Sequence, residues 1–336
     1  MSHVARVVVV GDGPWAAATV EELAGLADAV PVTSGEVEPA LDRGADVVVL
    51  TGPDPGDRTL LACAERGLPV VDVHRSIASL DRAGELLADH AGARLVAADG
   101  WAGGVAALVA VGLARPEESV DLGSDHVEVD VLLDAGDEAS DAWWERFAGL
   151  HRTFAVYDRG ERRLVRGLDE AKLVRFAAGT RRARRVASPE QETLVENGHA
   201  GSVAVRVAFA RRATDLWLAL GVGSGAWRFL PRRWRRAALR PVRAVPAAGH
   251  EIWVTRVGES AAARVRVHDP RGRAHLVGAS AATQVARLLD PTREPVPAGV
   301  SVPEQAPDLA RDLDELRRRG VTFDVERRDL RPGTPA

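Results

Sequence analysis

The sequence contains very little sulfur, and this limits the chemistry open to it. Its 336 residues include one cysteine, Cys63, and one methionine. A single cysteine excludes an internal disulfide and a cysteine-based zinc cluster, and it is typical of a protein kept in a reducing cytosol, so we expect a cytoplasmic protein. The histidines show no metal-ligand spacing and no serine occupies a nucleophile elbow. The sequence therefore predicts neither a metal site nor a serine hydrolase.

The chain also lacks long apolar runs and a large excess of one charge. No uninterrupted apolar stretch approaches the roughly 18 residues of a membrane span, and the amino terminus has no basic segment followed by a cleavable apolar run. We therefore expect no transmembrane segment and no signal peptide. The formal net charge of −4 argues against nucleic acid as a partner. With 46% hydrophobic residues, two domains with real cores are expected.

The most informative pattern lies at the start of the chain. The run Val7–Val10 is typical of a strand buried on both faces, and an alanine-rich helical segment follows the next few residues. The residues between them spell G-x-G-x-x-A, in which the first glycine turns the chain and the second lets a pyrophosphate approach the backbone. A structural turn that binds no ligand is the alternative. The residues predicted to contact a dinucleotide are Gly11, Asp12, Gly13, Pro14 and Trp15.

The end of the second predicted strand would meet the adenosine ribose of a bound dinucleotide. Thr33 and Ser34 lie there, and the nearest acid is Glu36. A carboxylate at the strand tip favours NAD, whereas a neutral tip admits the 2′-phosphate of NADP. We therefore expect NADP as the cofactor, with NAD as the alternative. Only a short helical turn precedes the third predicted strand, so one strand–helix unit of a full mononucleotide half is missing.

Strands alternate with helices over the first hundred residues, which predicts a doubly wound parallel sheet. Ligands of such sheets lie at the carboxyl ends of the strands. Thr51, Gly52 and Pro53 follow the third predicted strand and are expected to contact the cofactor. Three polar residues follow the next two strands, and they are candidates for handling a proton, with helix capping as the alternative role of the first. They are Asp72, His74 and Asp99.

The middle of the chain has a different pattern. Alternating, β-rich segments such as Val127–Leu133 and Ser202–Ala210 predict an antiparallel sheet with helices on one face. Lys172 is the only lysine among 44 basic residues. Its ammonium group can donate a proton, which a guanidinium cannot. Lys172 is therefore either a surface cation or a proton donor or carboxylate anchor that faces the nicotinamide.

Two aromatic features of the middle region have several interpretations. Trp143 and Trp144 are expected to be core or interface anchors on an amphipathic helix. The stretch from Trp227 to Arg243 contains seven arginines and no acid. A solvated connection packed by its tryptophans is one interpretation, and weak contact with a membrane surface or with a partner subunit are the alternatives.

The order of these motifs resembles the saccharopine dehydrogenase-like reductases. The resemblance rests on the glycine loop, on Ala45–Pro53, on Gly67–His74, on Ala98–Gly104 before an apolar helix, and on a closing segment that begins at Gly299. It implies an NAD(P)-binding Rossmann domain, an inserted α+β domain that covers the nicotinamide and often forms the dimer, and a C-terminal helix that returns to the first domain. The chemistry it implies is hydride transfer to a C=N bond, or to a C=C bond in some relatives.

We therefore expect an α/β fold with a shortened, Rossmann-type doubly wound parallel sheet over residues 1–120. An inserted α+β substrate and dimerisation domain is expected over 121–278, and a C-terminal segment over 279–336 is expected to pack back on the first domain. The expected function is that of an NAD(P)H-dependent oxidoreductase, a homodimer acting on a small amine- or carboxylate-bearing metabolite. The alternative is a non-catalytic Rossmann scaffold or a nucleotide-sensing protein.

Overall fold

The structure is a computed structural model that describes residues 4–113, 125–133, 152–210, 231, 234, 250–259 and 261–329. It divides into two compact units. Unit 1 comprises Met1–Leu108 and Arg273–Val321, and unit 2 comprises Val109–Gly272 and the chain from Thr322 onward. The predicted helix at Trp143 and Trp144, and nearly all of the stretch from Trp227 to Arg243, lie outside the described residues.

Unit 1 is built on a parallel sheet of six strands in the order β14-β5-β4-β3-β1-β2. The strands are β1 (Arg6–Val10), β2 (Asp28–Val32), β3 (Val47–Leu50), β4 (Val70–Asp72), β5 (Arg94–Ala97) and β14 (Gly299–Ser301). β2 and β3 pair with opposite edges of β1, so the direction in which strands are added reverses at β1. The carboxyl ends of β1 and β3 therefore flank the crevice in which sheets of this kind bind ligands. The predicted parallel sheet is confirmed.

Helices cover both faces of this sheet, because alternate residues of its strands point to opposite sides. Val8 and Val48 belong to a core shared with α2 (Val37–Asp42), α3 (Arg58–Glu65) and α4 (Ile77–Ala88). Val7 and Val47 belong to a second core, shared with α1 (Pro14–Leu23) and α7 (Arg273–Leu289). Continuous valine runs thus form strands that are apolar on both faces, as parallel sheets require. α8 (Leu309–Arg318) returns to unit 1, as expected.

Two glycines inside helices of unit 1 have contrasting surroundings. A Cβ added to Gly278, in α7, would lie 2.7 Å from the carbonyl carbon of Ala18 in α1. A Cβ added to Gly84, in α4, would meet nothing within 4 Å. Gly278 therefore allows the backbones of α1 and α7 to approach closely, whereas Gly84 has no such role.

Unit 2 is built on a mixed sheet of seven strands in the order β15-β13-β12-β6-β11-β10-β9. These strands are β6 (His126–Leu133), β9 (Lys172–Phe176), β10 (Gly179–Arg185), β11 (Ser202–Phe209), β12 (His250–Val257), β13 (Ala261–Asp269) and β15 (Thr322–Asp329). Three further elements are the hairpin of β7 (Thr153–Asp158) and β8 (Glu161–Arg166), and α6 (Glu190–Glu196). The sheet is antiparallel as expected except that β6 and β11 run parallel. α5 (Val105–Gly112) contains the boundary at which unit 1 gives way to unit 2.

The unit boundaries differ from those expected at the C-terminus. Unit 1 resumes at Arg273, where α7 begins, and the closing segment expected over 279–336 divides after Val321. The reason is that β15 pairs with β13, with Val325 opposite Val265. This long-range pairing draws the last strand into the sheet of unit 2. Among the helices described, none combines the length and the hydropathy needed to cross a membrane.

We expect Gly278→Ala and Gly84→Ala to change stability in opposite directions. The alanine at 278 must push α1 and α7 apart, which should cost about 1–3 kcal/mol. The alanine at 84 should stabilise the protein by about 0.5–1 kcal/mol, because it restricts the unfolded chain and fits the helix. Denaturant unfolding of both variants measures the two effects. Equal shifts would contradict the close packing at Ala18.

Candidate functional site

The glycine loop after β1 is held by both neighbouring strands. The amide of Gly11 donates to the Val32 carbonyl at 3.0 Å, and the amide of Thr51 donates to the Val10 carbonyl at 2.9 Å. Gly11 has a φ of 141°, and a Cβ there would lie 2.3 Å from Thr51 Oγ1. Only glycine fits at this position, because the chain turns directly against β3. Thr51 therefore packs directly against the glycine loop.

Gly13 has a different reason to be glycine. Its φ is 82°, and a Cβ built there meets nothing within 4 Å. The position is open, next to the start of α1 at Pro14. The first intrahelical bond runs from the Ala17 amide to the Gly13 carbonyl at 3.2 Å, so the amides of Trp15 and Ala16 precede the helical ladder. This is the arrangement in which a helix N-terminus accepts a phosphate, and no atom near the Cβ position of Gly13 would obstruct a phosphate group there.

The tip of β2 is hydrogen-bonded to the carboxylate of Glu36, which the sequence pattern placed beyond the tip. Glu36 Oε2 accepts hydrogen bonds from the Thr33 amide at 3.0 Å and from Thr33 Oγ1 at 2.7 Å. These bonds, the hydroxyl first, lower the pKa of Glu36 below its usual value. Glu36 and Ser34 are both exposed. The strand tip is therefore acidic, whereas the sequence predicted no carboxylate at the tip itself.

Asp72 lies in a buried network of ion pairs. Its Oδ1 accepts from the His74 amide at 2.8 Å and its Oδ2 accepts from Arg75 Nε at 2.9 Å. Arg75 Nη1 also donates to Asp57 at 2.7 Å, and Arg82 binds the second oxygen of Asp57. The network joins the segments that follow β3 and β4 to α4. Asp72 thus acts as an acceptor within a structural cluster.

The pKa values of the two carboxylates in this network are shifted in opposite directions. Burial raises the pKa of Asp72 to about 6, and the nearby charge of Asp99 adds to the effect, while Arg75 opposes it. Burial also acts on Asp57, but hydrogen bonds from Arg75 and Arg82 outweigh it and lower the pKa of Asp57. The structure therefore brings Asp72 and Asp99 into the same electrostatic environment at the carboxyl ends of β4 and β5.

An aromatic and cationic cluster lies at the same edge of the sheet. The Trp15 and His74 rings are tilted by 53° with centroids 6.0 Å apart. The guanidinium of Arg273, the first residue of α7, lies 5.3 Å from the Trp15 ring and 5.5 Å from the Trp101 ring. Arg273 and Trp101 are each 1% exposed. No local motif points to Arg273, because it comes from the far end of the chain.

Lys172 belongs to unit 2, as the first residue of β9. Its ammonium group forms an ion pair with Glu128 and lies 4.0 Å from Asp130. Arg206 Nη1 donates to the other Glu128 oxygen at 2.9 Å. Hydrogen bonds from His126 and Lys172 overcome the effect of burial and hold the pKa of Glu128 well below its usual range. Lys172 is therefore one member of a charged cluster on the sheet, with its side chain 43% exposed.

Metal ligands were not expected from the sequence. Across the ranges that the structure describes, no group of three or more histidine, cysteine, aspartate or glutamate side chains is arranged to hold a metal ion.

Comparisons with known proteins define the fold. No protein-family model matches the sequence, and no curated protein sequence matches it. Among solved structures, saccharopine dehydrogenase (L-Glu forming) from Saccharomyces cerevisiae is similar over 96% of this chain and 100% of its own, at 13% identity and a TM-score of 0.68. The diaminopimelate (DAP) dehydrogenase of C. glutamicum aligns over 94% and 99% of the two chains, at 13% identity and a TM-score of 0.47. The first likeness confirms the fold that the motif resemblance implied.

We expect Asp72→Asn to reveal the raised pKa through the pH dependence of stability. The native state holds the Asp72 proton up to about pH 6, whereas the ordinary value is 3.8. The protonated Asp72 carboxyl group therefore makes its full contribution to the free energy of unfolding below pH 3.8, and this contribution is lost as the pH rises through about 6. The unfolding free energy of the wild type, minus that of Asp72→Asn, should fall by about 3 kcal/mol over this window.

Denaturant titrations of both proteins at several pH values measure this difference. Asp57→Asn provides a companion with the opposite sign, because a lowered pKa contributes stability that is lost as the pH falls below its ordinary value. A difference for Asp72→Asn that stays flat between pH 4 and 6 would show that the Arg75 ion pair cancels the effect of burial.

Proposed function

We propose that the chain is an NAD(P)H-dependent oxidoreductase that reduces a C=N bond, or alternatively a C=C bond, of a small metabolite that carries an amine or a carboxylate. The observation that supports this proposal is the open position at Gly13, at the N-terminus of α1 and at the switch point of the sheet. The full-length likeness to saccharopine dehydrogenase suggests the reaction class by analogy of fold.

The described residues fit a dinucleotide. The amides at the start of α1 would bind the pyrophosphate, and the tip of β2 would bind the adenosine ribose. When bound, the cofactor would supply the hydride. We propose that the contacting residues are Gly11, Asp12, Gly13, Pro14, Trp15, Thr33, Ser34, Thr51, Gly52 and Pro53, with Glu36 added from the structure.

Among the proton-handling candidates we favour His74. Both oxygens of Asp72 already accept hydrogen bonds, so Asp72 acts through its charge and its hold on the loop. The His74 ring is half-buried beside Trp15 at the carboxyl edge, where an imidazole can transfer a proton. Asp99 would contribute charge to the same edge. Lys172, in unit 2, is proposed as a substrate-carboxylate anchor or as a second proton donor.

A nucleotide-binding scaffold or sensor is the second candidate. The observation that favours it is the buried stack of Trp15, Arg273 and Trp101, which fills the interior at the carboxyl edge of unit 1 with side chains. A sensor would bind the dinucleotide without oxidising it. We further propose, on the family resemblance, that the protein is a homodimer in the cytoplasm, and sedimentation equilibrium tests the oligomeric state.

We expect Gly13→Val to abolish nucleotide binding, because the valine side chain would occupy the space of the pyrophosphate. Gly25→Val is the matched control: Gly25 follows α1, has a φ of 83°, and is equally open around its Cβ. The backbone strain of the two variants should therefore be similar. Titration of NADH and NADPH, followed by tryptophan fluorescence, measures binding. Unchanged affinity in folded Gly13→Val would contradict the loop assignment.

Assays of NAD(P)H binding and of NAD(P)H consumption distinguish the candidate functions. Consumption of NAD(P)H in the presence of paired amines and 2-oxo acids, lost in His74→Asn, supports the reductase. Binding without consumption across amine, imine and enoyl substrates supports the sensor. Absence of binding supports a scaffold that has lost the nucleotide.

We expect NADH to bind more tightly than NADPH, which reverses the preference suggested by the sequence. The Glu36 carboxylate can accept from a ribose 2′-hydroxyl but repels a 2′-phosphate. Glu36→Gln should reduce the preference by about tenfold or more. Glu38→Gln is the control, because Glu38 lies two residues further on, in α2, and pairs with Arg66. Dissociation constants for both cofactors measure the ratio. Tighter NADPH binding by the unmodified protein would contradict the role of Glu36.

A further inference from the structure

A second concave site lies in unit 1, at the end of the α1/α7 pair remote from the glycine loop. Its volume is about 410 Å³, and we name it the α1–α7 pocket. Leu26, which follows the last turn of α1, contributes to its wall. A helix of ten residues is about 15 Å long, so the pocket lies roughly one helix length from Gly13. It is therefore distinct from the proposed dinucleotide site.

One wall of the α1–α7 pocket is apolar. It is formed by Leu26 and by Ala286 and Leu289, which lie in the last turns of α7. Leu26 is 36% exposed and is one of few large apolar side chains exposed among the described residues. A leucine exposed inside a concavity can be covered by the apolar body of a ligand, and covering it is favourable.

Three arginines also contribute to the lining of the pocket. Arg293 is buried and is fixed by Asp308 at 2.5 Å and by Asp312 at 2.7 Å. Arg311 and Arg318 also line the pocket, and their side chains are 47% and 66% exposed.

Arg311 pairs with Asp290 and Arg318 pairs with Glu315. Solvent-exposed ion pairs of this kind contribute little to stability. The guanidinium groups of Arg311 and Arg318 can therefore turn from these carboxylates to an anion that enters the pocket. Arg293 is already neutralised by its two aspartate partners, so Arg311 and Arg318 are the guanidinium groups that an anion in the pocket would contact.

We propose that the α1–α7 pocket binds a small amphiphilic anion, with an apolar body against Leu26, Ala286 and Leu289 and a single anionic group on Arg311 and Arg318. The combination of an apolar wall with guanidinium groups selects this class over inorganic anions and over neutral apolar molecules. Binding at this pocket does not depend on the proposed hydride chemistry.

The test uses two fluorescent probes of matched shape on the full chain. Anilinonaphthalene sulfonate has an apolar body and one sulfonate, and N-phenylnaphthylamine has the same body without the charge. The sulfonate probe should bind saturably to one site per chain, and the neutral probe should bind about tenfold more weakly, because it lacks charge-assisted hydrogen bonds. Equal affinities for the two probes would overturn the proposal.

Variants locate the binding site. The double variant Arg311→Ser with Arg318→Ser should weaken sulfonate binding by about tenfold or more. Arg317→Ser is the control and should leave it unchanged, because Arg317 lies beside Arg318 on α8 but pairs with Asp314 and is not part of the pocket lining. Ala286→Trp should fill the pocket and abolish binding. Arginine variants that bind as the wild type does would overturn the proposal.

Competition separates this site from the dinucleotide site. Adenosine diphosphate ribose at saturation, and the Gly13→Val variant, should leave sulfonate binding unchanged. Displacement by adenosine diphosphate ribose would place the probe in the nucleotide site and overturn the proposal. If the protein binds neither NADH nor NADPH while the double arginine variant loses the sulfonate probe, the proposed function fails and the α1–α7 pocket stands.

Discussion

The close approach of Gly11 to Thr51 is the constraint on which the candidate site depends. A Cβ on Gly11 would overlap Thr51 Oγ1, so the chain leaving β1 must turn tightly against the end of β3. This turn sets the start of α1 and leaves the position of Gly13 open above it. Gly278 then lets α7 lie against α1, which fixes α1 from its other side. The close contact between Gly11 and Thr51 thus determines where the N-terminus of α1 lies.

The features predicted well from the sequence are those determined locally. Val7–Val10 forms a buried strand because a run of β-branched residues suits a strand covered on both faces, and the two glycines beside it have positive φ as the motif requires. The parallel sheet of unit 1 follows from the alternation of strands and helices along the chain. In each case the residues that determine the structure lie within a few positions of one another in the sequence.

The features that escaped sequence analysis depend on distant residues or on side-chain direction. The pairing of β15 with β13, and the placement of Arg273 between Trp15 and Trp101, join parts of the chain with no shared motif. Glu36 lies beyond β2 in the sequence, yet its side chain folds back onto Thr33. Asp57 reaches Arg75 from a left-handed backbone position that a non-glycine residue seldom adopts. The hydrophobic periodicity of the sequence does not predict such contacts.

The buried ion pairs also decide which polar residues remain available for chemistry. A carboxylate with its charge removed from water is costly unless it is paired, and the hydrogen bonds from Arg75 and the His74 amide offset only part of this cost for Asp72. These hydrogen bonds hold both oxygens of Asp72, although burial still raises its pKa to about 6. They also fix the backbone of His74, whose ring is only half-buried at the carboxyl edge. We therefore propose His74 as the proton carrier, because its ring can exchange a proton without breaking the ion pair between Asp72 and Arg75.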